Sequence, residues 1–419
     1  MQLPDDFIQL IRPVFGEERF ECFMKALDEE SPVSIRVNPR IVHSSQCTNQ
    51  SPDAQPNYEL CTMNYELQSV PWCRHGFYLP TRPNFTFDPL LHAGCYYVQE
   101  AASMFLDQVL CASAPLISGG ACLDLCAAPG GKSTLLRAAL PEGSMLYSNE
   151  PVRQRASILA ENMQKWGYPN CVVTNNYPRD YRKSKLRFDV ILCDVPCSGE
   201  GMFRKDPATI GEWSPKQVEK CWQLQRDIVS DAWQCLRDGG LFIYSTCTFN
   251  TKENEENIRW LLSEYDAEAL SIDVRPEWNI TGSLLEGFNA PVYRFIPGIT
   301  RSEGLFMCVI KKGGEPTLSK KKDFTSPVLK NILTPLAPEG AGSGLQVSLT
   351  YAQAIAYLRH EAITLPDDTP RGLVEVCFQG HPLGFVKNLG TRANNLYPKE
   401  WRIKTTHIPT DYEAILRHT

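Results

Sequence analysis

From about residue 90 onward, short unbroken apolar runs alternate with longer stretches whose apolar residues recur every three or four positions. The runs at 121–125, 144–149, 171–174, 188–193, 240–245 and 305–310 predict strands; the periodic stretches at 133–140, 152–166, 216–236 and 252–265 predict helices. Strands spaced by crossover helices imply a parallel sheet covered on both faces, so the fold class is α/β with a Rossmann-like sheet. The first 90 residues differ. An acidic helical stretch runs through about residue 29, a strand follows at 33–38, and a polar loop at 44–57 precedes further short extended pieces. This reads as a small N-terminal α+β domain. Residues 313–344 turn to Lys, Pro and Gly and predict a linker, and 345–419 return to short strands and turns, a separate β-rich domain. The expected divisions are 1–90, 91–312, 313–344 and 345–419.

Composition narrows the class. With 419 residues, 43% hydrophobic and 21% charged, the chain can bury two or three cores, which excludes fibrous and disordered proteins. No apolar run nears the roughly 18 residues of a membrane span, and the opening residues carry neither a basic nor an apolar targeting signal. A cytoplasmic protein without membrane contact is expected. Sixteen cysteines but only seven histidines, and no Cys-x-x-Cys pair, give no local metal signature. Most cysteines should be reduced and buried as small hydrophobes.

The net charge of −6 is uneven. Residues 1–30 hold eight acids against Arg12, Arg19 and Lys25, whereas 371–419 hold seven Lys or Arg against four acids. Further basic clusters lie at 179–187 and 311–322. Such runs usually form a solvated face, so a polyanionic partner must be argued from particular residues. In the last segment Lys387, Arg392, Lys399, Arg402 and Lys404 are the candidates for phosphate contacts.

The stretch Asp124-Leu125-Cys126-Ala127-Ala128-Pro129-Gly130-Gly131-Lys132-Ser133-Thr134 joins a predicted strand to a predicted helix. Its Gly-Lys-Ser invites a phosphate-loop reading, but the position that loop reserves for its first Gly is Cys126. The remaining reading is a turn whose backbone N–H groups and helix N-terminus approach a small charged cofactor. Glu150, at the end of the next strand, is placed to accept two ribose hydroxyls. Without a Gly-x-Gly-x-x-Gly for a dinucleotide, S-adenosylmethionine fits best.

Two cysteines follow neighbouring strands. Asp194-Val195-Pro196-Cys197 ends the strand at 188–193, and Ser245-Thr246-Cys247 ends the one at 240–245. In an open α/β sheet both open onto the ligand crevice. Carbon 5 of cytosine is a poor nucleophile until a thiolate adds to carbon 6, and an acid near ring nitrogen 3 eases that addition. A second thiol can assist the later elimination. Two cysteines and a carboxyl suit base methylation better than ordinary oxygen or nitrogen methylation.

At this point the chain resembles the Sun family of RNA cytosine-C5 methyltransferases, most closely its bacterial RsmF-type branch. The likeness runs from Ser34-Ile35-Arg36-Val37-Asn38-Pro39 through Gly94–Glu100, Gly199–Pro207 and Glu253-Asn254-Glu255 to Gly384-Phe385-Val386-Lys387. It implies an S-adenosylmethionine-dependent Rossmann-like methyltransferase with a PUA-like C-terminal RNA-binding domain. By it Cys126, Ala127, Ala128, Pro129, Gly130, Gly131, Lys132, Glu150 and Asp194 contact the cofactor. Cys247 is the nucleophile, Cys197 the thiol that releases product, and Asp194 the catalytic acid. Where the family often holds adenine with an acid, this chain has Asn175 and Asn176, of which Asn175 is taken. The implied substrate is a cytidine in 16S ribosomal RNA, with transfer RNA as runner-up, acted on by a monomer without metal. Two other readings stay open: a DNA cytosine methyltransferase using Cys197 as nucleophile, and a non-catalytic RNA-binding assembly factor.

Overall fold

The computed structural model describes residues 1–40, 67–117, 119–315, 326–333, 345–405, 409, 412, 415 and 416. The polar loop expected at 44–57 and most of the expected linker lie outside these residues. The acidic N-terminal stretch forms two helices, Asp5–Phe15 and Glu17–Leu27, because Gly16 between them takes a φ of 73°. Their apolar faces (Phe7, Ile11, Phe15, Phe20 and Phe23) pack on Phe203, Trp213 and Phe249 of the central domain.

A four-stranded antiparallel sheet follows, made of β1 (Val33–Val37), β2 (Gln68–Ser69), β3 (Gly76–Leu79) and β4 (Tyr96–Val98) in the order β2-β3-β1-β4. It extends past residue 90, because Ile35–Val37 still needs Tyr96–Val98 to pair its free edge. Successive side chains of a strand face opposite ways, and β1 uses both sides. Ile35 and Val37 join Phe77 and Leu79 in a core completed by Tyr357, Leu358, Val374 and Val386 of the C-terminal domain. Arg36 points the other way, bonding Gln99 Oε1 at 2.8 Å, the Gly131 carbonyl at 3.2 Å and the Thr134 hydroxyl.

The central sheet comprises β5 (Ala121–Asp124), β6 (Met145–Asn149), β7 (Cys171–Thr174), β8 (Phe188–Asp194), β9 (Leu236–Thr246), β10 (Ala267–Ala269), β11 (Tyr293–Phe295) and β12 (Leu305–Lys312). Its order is β10-β12-β9-β8-β5-β6-β7, with β11 beside β12. Strands β5 to β9 run parallel and β12 runs against β9. The winding reverses between β5 and β8, and the crevice outside their carboxyl ends is where such sheets bind ligands. The expected helix at 216–236 is Pro215–Trp233, and Leu236 already belongs to β9. Apolar periodicity alone carried that expectation too far, since Leu236 is as buried in the strand as it would be in a helix. The helix expected at 252–265 is Glu255–Glu264, because residues 251–254 form a turn that faces the site. The described part of the expected linker, 326–333, is packed rather than loose. Asn331 Oδ1 accepts from Val173 N at 3.2 Å and Ile332 N donates to Val173 O at 2.8 Å, which covers the open edge of β7.

The C-terminal domain is a sheet ordered β13 (Gln346–Ser348), β14 (Gly372–Phe378), β15 (His381–Asn388) and β16 (Ala393–Asn395). It also carries a helix, Tyr351–Leu358, with a Thr350/Gln353 capping box. Among the described residues no helix is long and apolar enough to cross a membrane.

Candidate active site

The turn after β5 is built for close approach. Gly130 caps the helix Gly131–Ala139 with a φ of 116°, where a side chain would be strained. A Cβ on Gly131 would make only ordinary contact with Tyr97 at 3.4 Å and Gln99 at 3.5 Å, so it is Gly130 whose backbone requires glycine. At the strand end Asp124 is fully buried; its Oδ2 accepts from Ser133 at 2.7 Å, while Oδ1 has no partner among the described residues. Burial, aided by the fields of Asp194 and Glu150, raises its carboxyl to about 7.

Glu150 directly follows β6, 1% exposed, with one oxygen accepting from Val152 N at 2.9 Å and the other 3.3 Å from Arg155. Arg155 also donates to Ala128 O at 3.0 Å, so this half-exposed cation spans the crevice from one wall to the other. Asn175 Nδ2 is spent on the carbonyls of Glu150 and Pro151, at 2.7 and 2.9 Å; its Oδ1 remains to accept from an adenine amino group. Asn176 instead uses its backbone: its carbonyl accepts from Asn149 Nδ2 and its N–H donates to Asn149 Oδ1. Bare glycines, an unpartnered buried carboxylate oxygen, Glu150 and Asn175 are a donor and acceptor set that fits S-adenosylmethionine.

The chemistry expected at β8 and β9 converges. Asp194 ↔ Ser245 are register partners, and Asp194 accepts from Ser245 Oγ at 2.7 Å and from Lys132 Nζ at 2.9 Å. Burial pulls the Lys132 ammonium down, but Asp194 outweighs it and the net shift is upward. Lys132 therefore stays charged. Just beyond, Cys197 Sγ and Cys247 Sγ lie 3.3 Å apart, each partly exposed. The bond to Cys247, with burial second, holds the Cys197 thiol well above its ordinary range.

Two buried acids that sequence reasoning passed over tie these loops together. Glu200 accepts from the backbone N–H of Phe249 at 2.6 Å and of Asn250 at 3.0 Å, from Asn250 Nδ2 at 2.9 Å and from Trp213 Nε1 at 3.1 Å. Glu253 accepts from Ser198 N at 3.0 Å, Gln225 Nε2 at 2.7 Å and Asn250 Nδ2 at 2.8 Å. Burial, then the neighbouring Glu200, raises Glu253 to about 7. Each acid stands within six residues of a candidate cysteine, which was the available signal. In the C-terminal domain Lys387, Arg392, Lys399, Arg402 and Lys404 are exposed and pair with no acid among the described residues. No group of three His, Cys, Asp or Glu side chains gathers as for a metal among the described residues.

Comparison with known proteins covers all three parts. The family described as "16S rRNA methyltransferase RsmB/F" matches residues 116–311, "N-terminal domain of 16S rRNA methyltransferase RsmF" matches 3–101, and "Methyltransferase RsmF PUA domain" matches 345–403. Curated relatives carry the name ribosomal RNA small subunit methyltransferase F. That of Pectobacterium atrosepticum is 34% identical over 74% of this chain and 63% of its own length. That of Serratia proteamaculans is 30% identical over 82% and 71%, and that of Cronobacter sakazakii 28% over 95% and 96%. Among solved structures, a methyltransferase homologue from Pyrococcus horikoshii covers 74% of this chain and 93% of its own at 24% identity, TM-score 0.56. NSun6 from the same organism, solved with SFG, covers 74% and 99% at 18% identity, TM-score 0.57. These two likenesses speak for the fold alone. With its three parts matched in order and relatives aligned through most of its length, the chain belongs to the RsmB/F family of 16S ribosomal RNA methyltransferases.

Proposed function

We propose that this protein methylates carbon 5 of a cytidine in 16S ribosomal RNA, acting as a cytoplasmic monomer, with Cys247 as nucleophile. The observation that carries the reading is the pair of sulfurs 3.3 Å apart, each just past one of two paired parallel strands. Addition of the Cys247 sulfur to carbon 6 breaks the 5,6 double bond and leaves an electron pair on carbon 5. Asp194, held by Lys132 and Ser245, is the acid that acts at ring nitrogen 3, and together with the charged Lys132 it delivers the proton taken up there. S-adenosylmethionine supplies the methyl group. The turn from Cys126 to Lys132, with Glu150 and Asn175, holds that cofactor, and Arg155 swings off Glu150 to admit the ribose. Once the carbon 5 proton has passed to water, the Cys197 thiol assists departure of the Cys247 sulfur by donating a hydrogen bond to it. The exposed cations of the C-terminal domain supply sequence-independent affinity for the RNA backbone.

Purified protein incubated with methyl-labelled S-adenosylmethionine and, separately, 16S ribosomal RNA, transfer RNA or duplex DNA tests the reading. Label in 16S ribosomal RNA, recovered as 5-methylcytidine, supports it. Label only in transfer RNA moves the substrate, label only in DNA changes the enzyme class, and RNA binding without label leaves an assembly factor.

A further inference from the structure

A cleft of about 710 Å³ opens between the residues that follow the second N-terminal helix, the end of β3, and the loop at 298–302. That volume is in the range of small-ligand sites. The cleft lies behind the catalytic turn: Gly201 N donates to Cys247 O at 2.7 Å, and a Cβ on Gly201 would stand 3.3 Å from Glu303 O. Arg204, three residues on, forms the floor. Its donors are consumed by Ala26 O at 2.9 Å, Ser302 O at 2.8 Å and Glu303 at 2.9 and 3.1 Å, so it offers a neutral, satisfied surface. At the rim, exposed Arg82 and Arg301 are offset by exposed Glu29 and Glu30. A site so balanced is poorly suited to a phosphate.

What it offers is a flat platform. The Arg301 guanidinium lies 4.1 Å over the ring of buried Tyr78, bonds Gln68 Oε1, and has its backbone held by Tyr78 Oη, which donates to Arg301 O at 2.8 Å. One face of the guanidinium is covered by the tyrosine; the residue is exposed and lines the cleft, so the other face is available. Unpaired bases stack on arginine planes fixed in this way. We propose that the cleft holds one unpaired nucleobase of the RNA substrate, stacked on Arg301, beside the cytidine that enters the active site. The proposal rests on the RNA-methyltransferase reading above and adds a second base-binding site to it.

The test uses the full chain and a 16S ribosomal RNA transcript carrying 4-thiouridine, without cofactor. Photo-cross-linking with peptide mapping should place a cross-link within 29–33, 79–82 or 298–302. Thr81→Trp, at an exposed position, should fill the cleft and abolish that cross-link. Arg301→Ala should weaken RNA binding by about 5- to 150-fold, the range for removal of one base stack. Arg301→Lys should not restore it, because it keeps the charge but loses the plane. Full restoration by lysine, or a cross-link map unchanged in Thr81→Trp, would overturn the cleft assignment. A parent protein that methylates the transcript yet cross-links nowhere in the cleft removes this proposal alone. One that cross-links in the cleft but transfers no methyl removes the methyltransferase reading instead.

Discussion

Cys197 and Cys247 stand 50 residues apart in sequence, yet their sulfurs meet at 3.3 Å because each follows one of two paired parallel strands. If Cys247 attacks and Cys197 only releases, Cys247→Ala should lose methylation and any covalent protein–RNA species. Cys197→Ala should still methylate but stay attached, giving a shifted, RNase-sensitive band on a denaturing gel that the double variant lacks. An adduct that persists in Cys247→Ala would reverse the roles.

Glu150→Ala should weaken S-adenosylmethionine by about 10- to 150-fold in calorimetry, as expected for loss of a carboxylate bonding two ribose hydroxyls. Undiminished affinity would mean that its contacts with Arg155 and Val152 N are its whole role.

Glu253 carries a pH signature. Its folded-state carboxyl titrates near 7, above the ordinary 4.5, so its contribution to stability is complete below about 4.5 and is lost as pH rises through 7. Glu253→Gln has no such group. Urea unfolding at pH 5, 6, 7 and 8 should show the parent losing roughly 2–3 kcal/mol relative to the variant across that range. A difference constant with pH would mean that the carboxyl is ionised throughout.

Glu200→Ala should cost about 3–5 kcal/mol, because it strands the buried donors of Phe249, Asn250 and Trp213. Chemical denaturation measures it, and a loss below about 1 kcal/mol would show that these donors find other acceptors.

Reversing Lys387, Arg392, Lys399, Arg402 and Lys404 to Glu should lower RNA affinity and flatten its salt dependence, by nearly one unit of log–log slope for each phosphate no longer neutralised. Cofactor affinity should be unchanged. A salt slope equal to the parent's would leave these residues a solvated face. Point reversals are preferable to truncation at 345, which would strip cover from Ile35, Phe77 and Phe85.

The central sheet was legible because apolar runs, a bare Gly turn and acids at strand ends are local signals. So was the convergence of Asp194, Cys197 and Cys247, which follows from strand order. Glu200 and Glu253 were not, because an acid in a sequence suggests solvent, and only the folded loops show the donors that surround it. Arg36 was legible only as part of the family likeness; its grip on Gly131 O and Thr134 spans more than 90 residues. The start of β9 at Leu236 was missed because burial looks the same in both element types.

The core shared by β1, β3 and the C-terminal domain has a consequence for how the chain is made. Residues 33–37 and 76–79 leave the ribosome well before Tyr357, Val374 and Val386, which close over them. The sheet of β1 to β4 is therefore finished only when the C-terminal domain has been released. Until then its apolar side stays unburied, a natural target for chaperones, and the core closes by joining two domains that lie far apart in the chain.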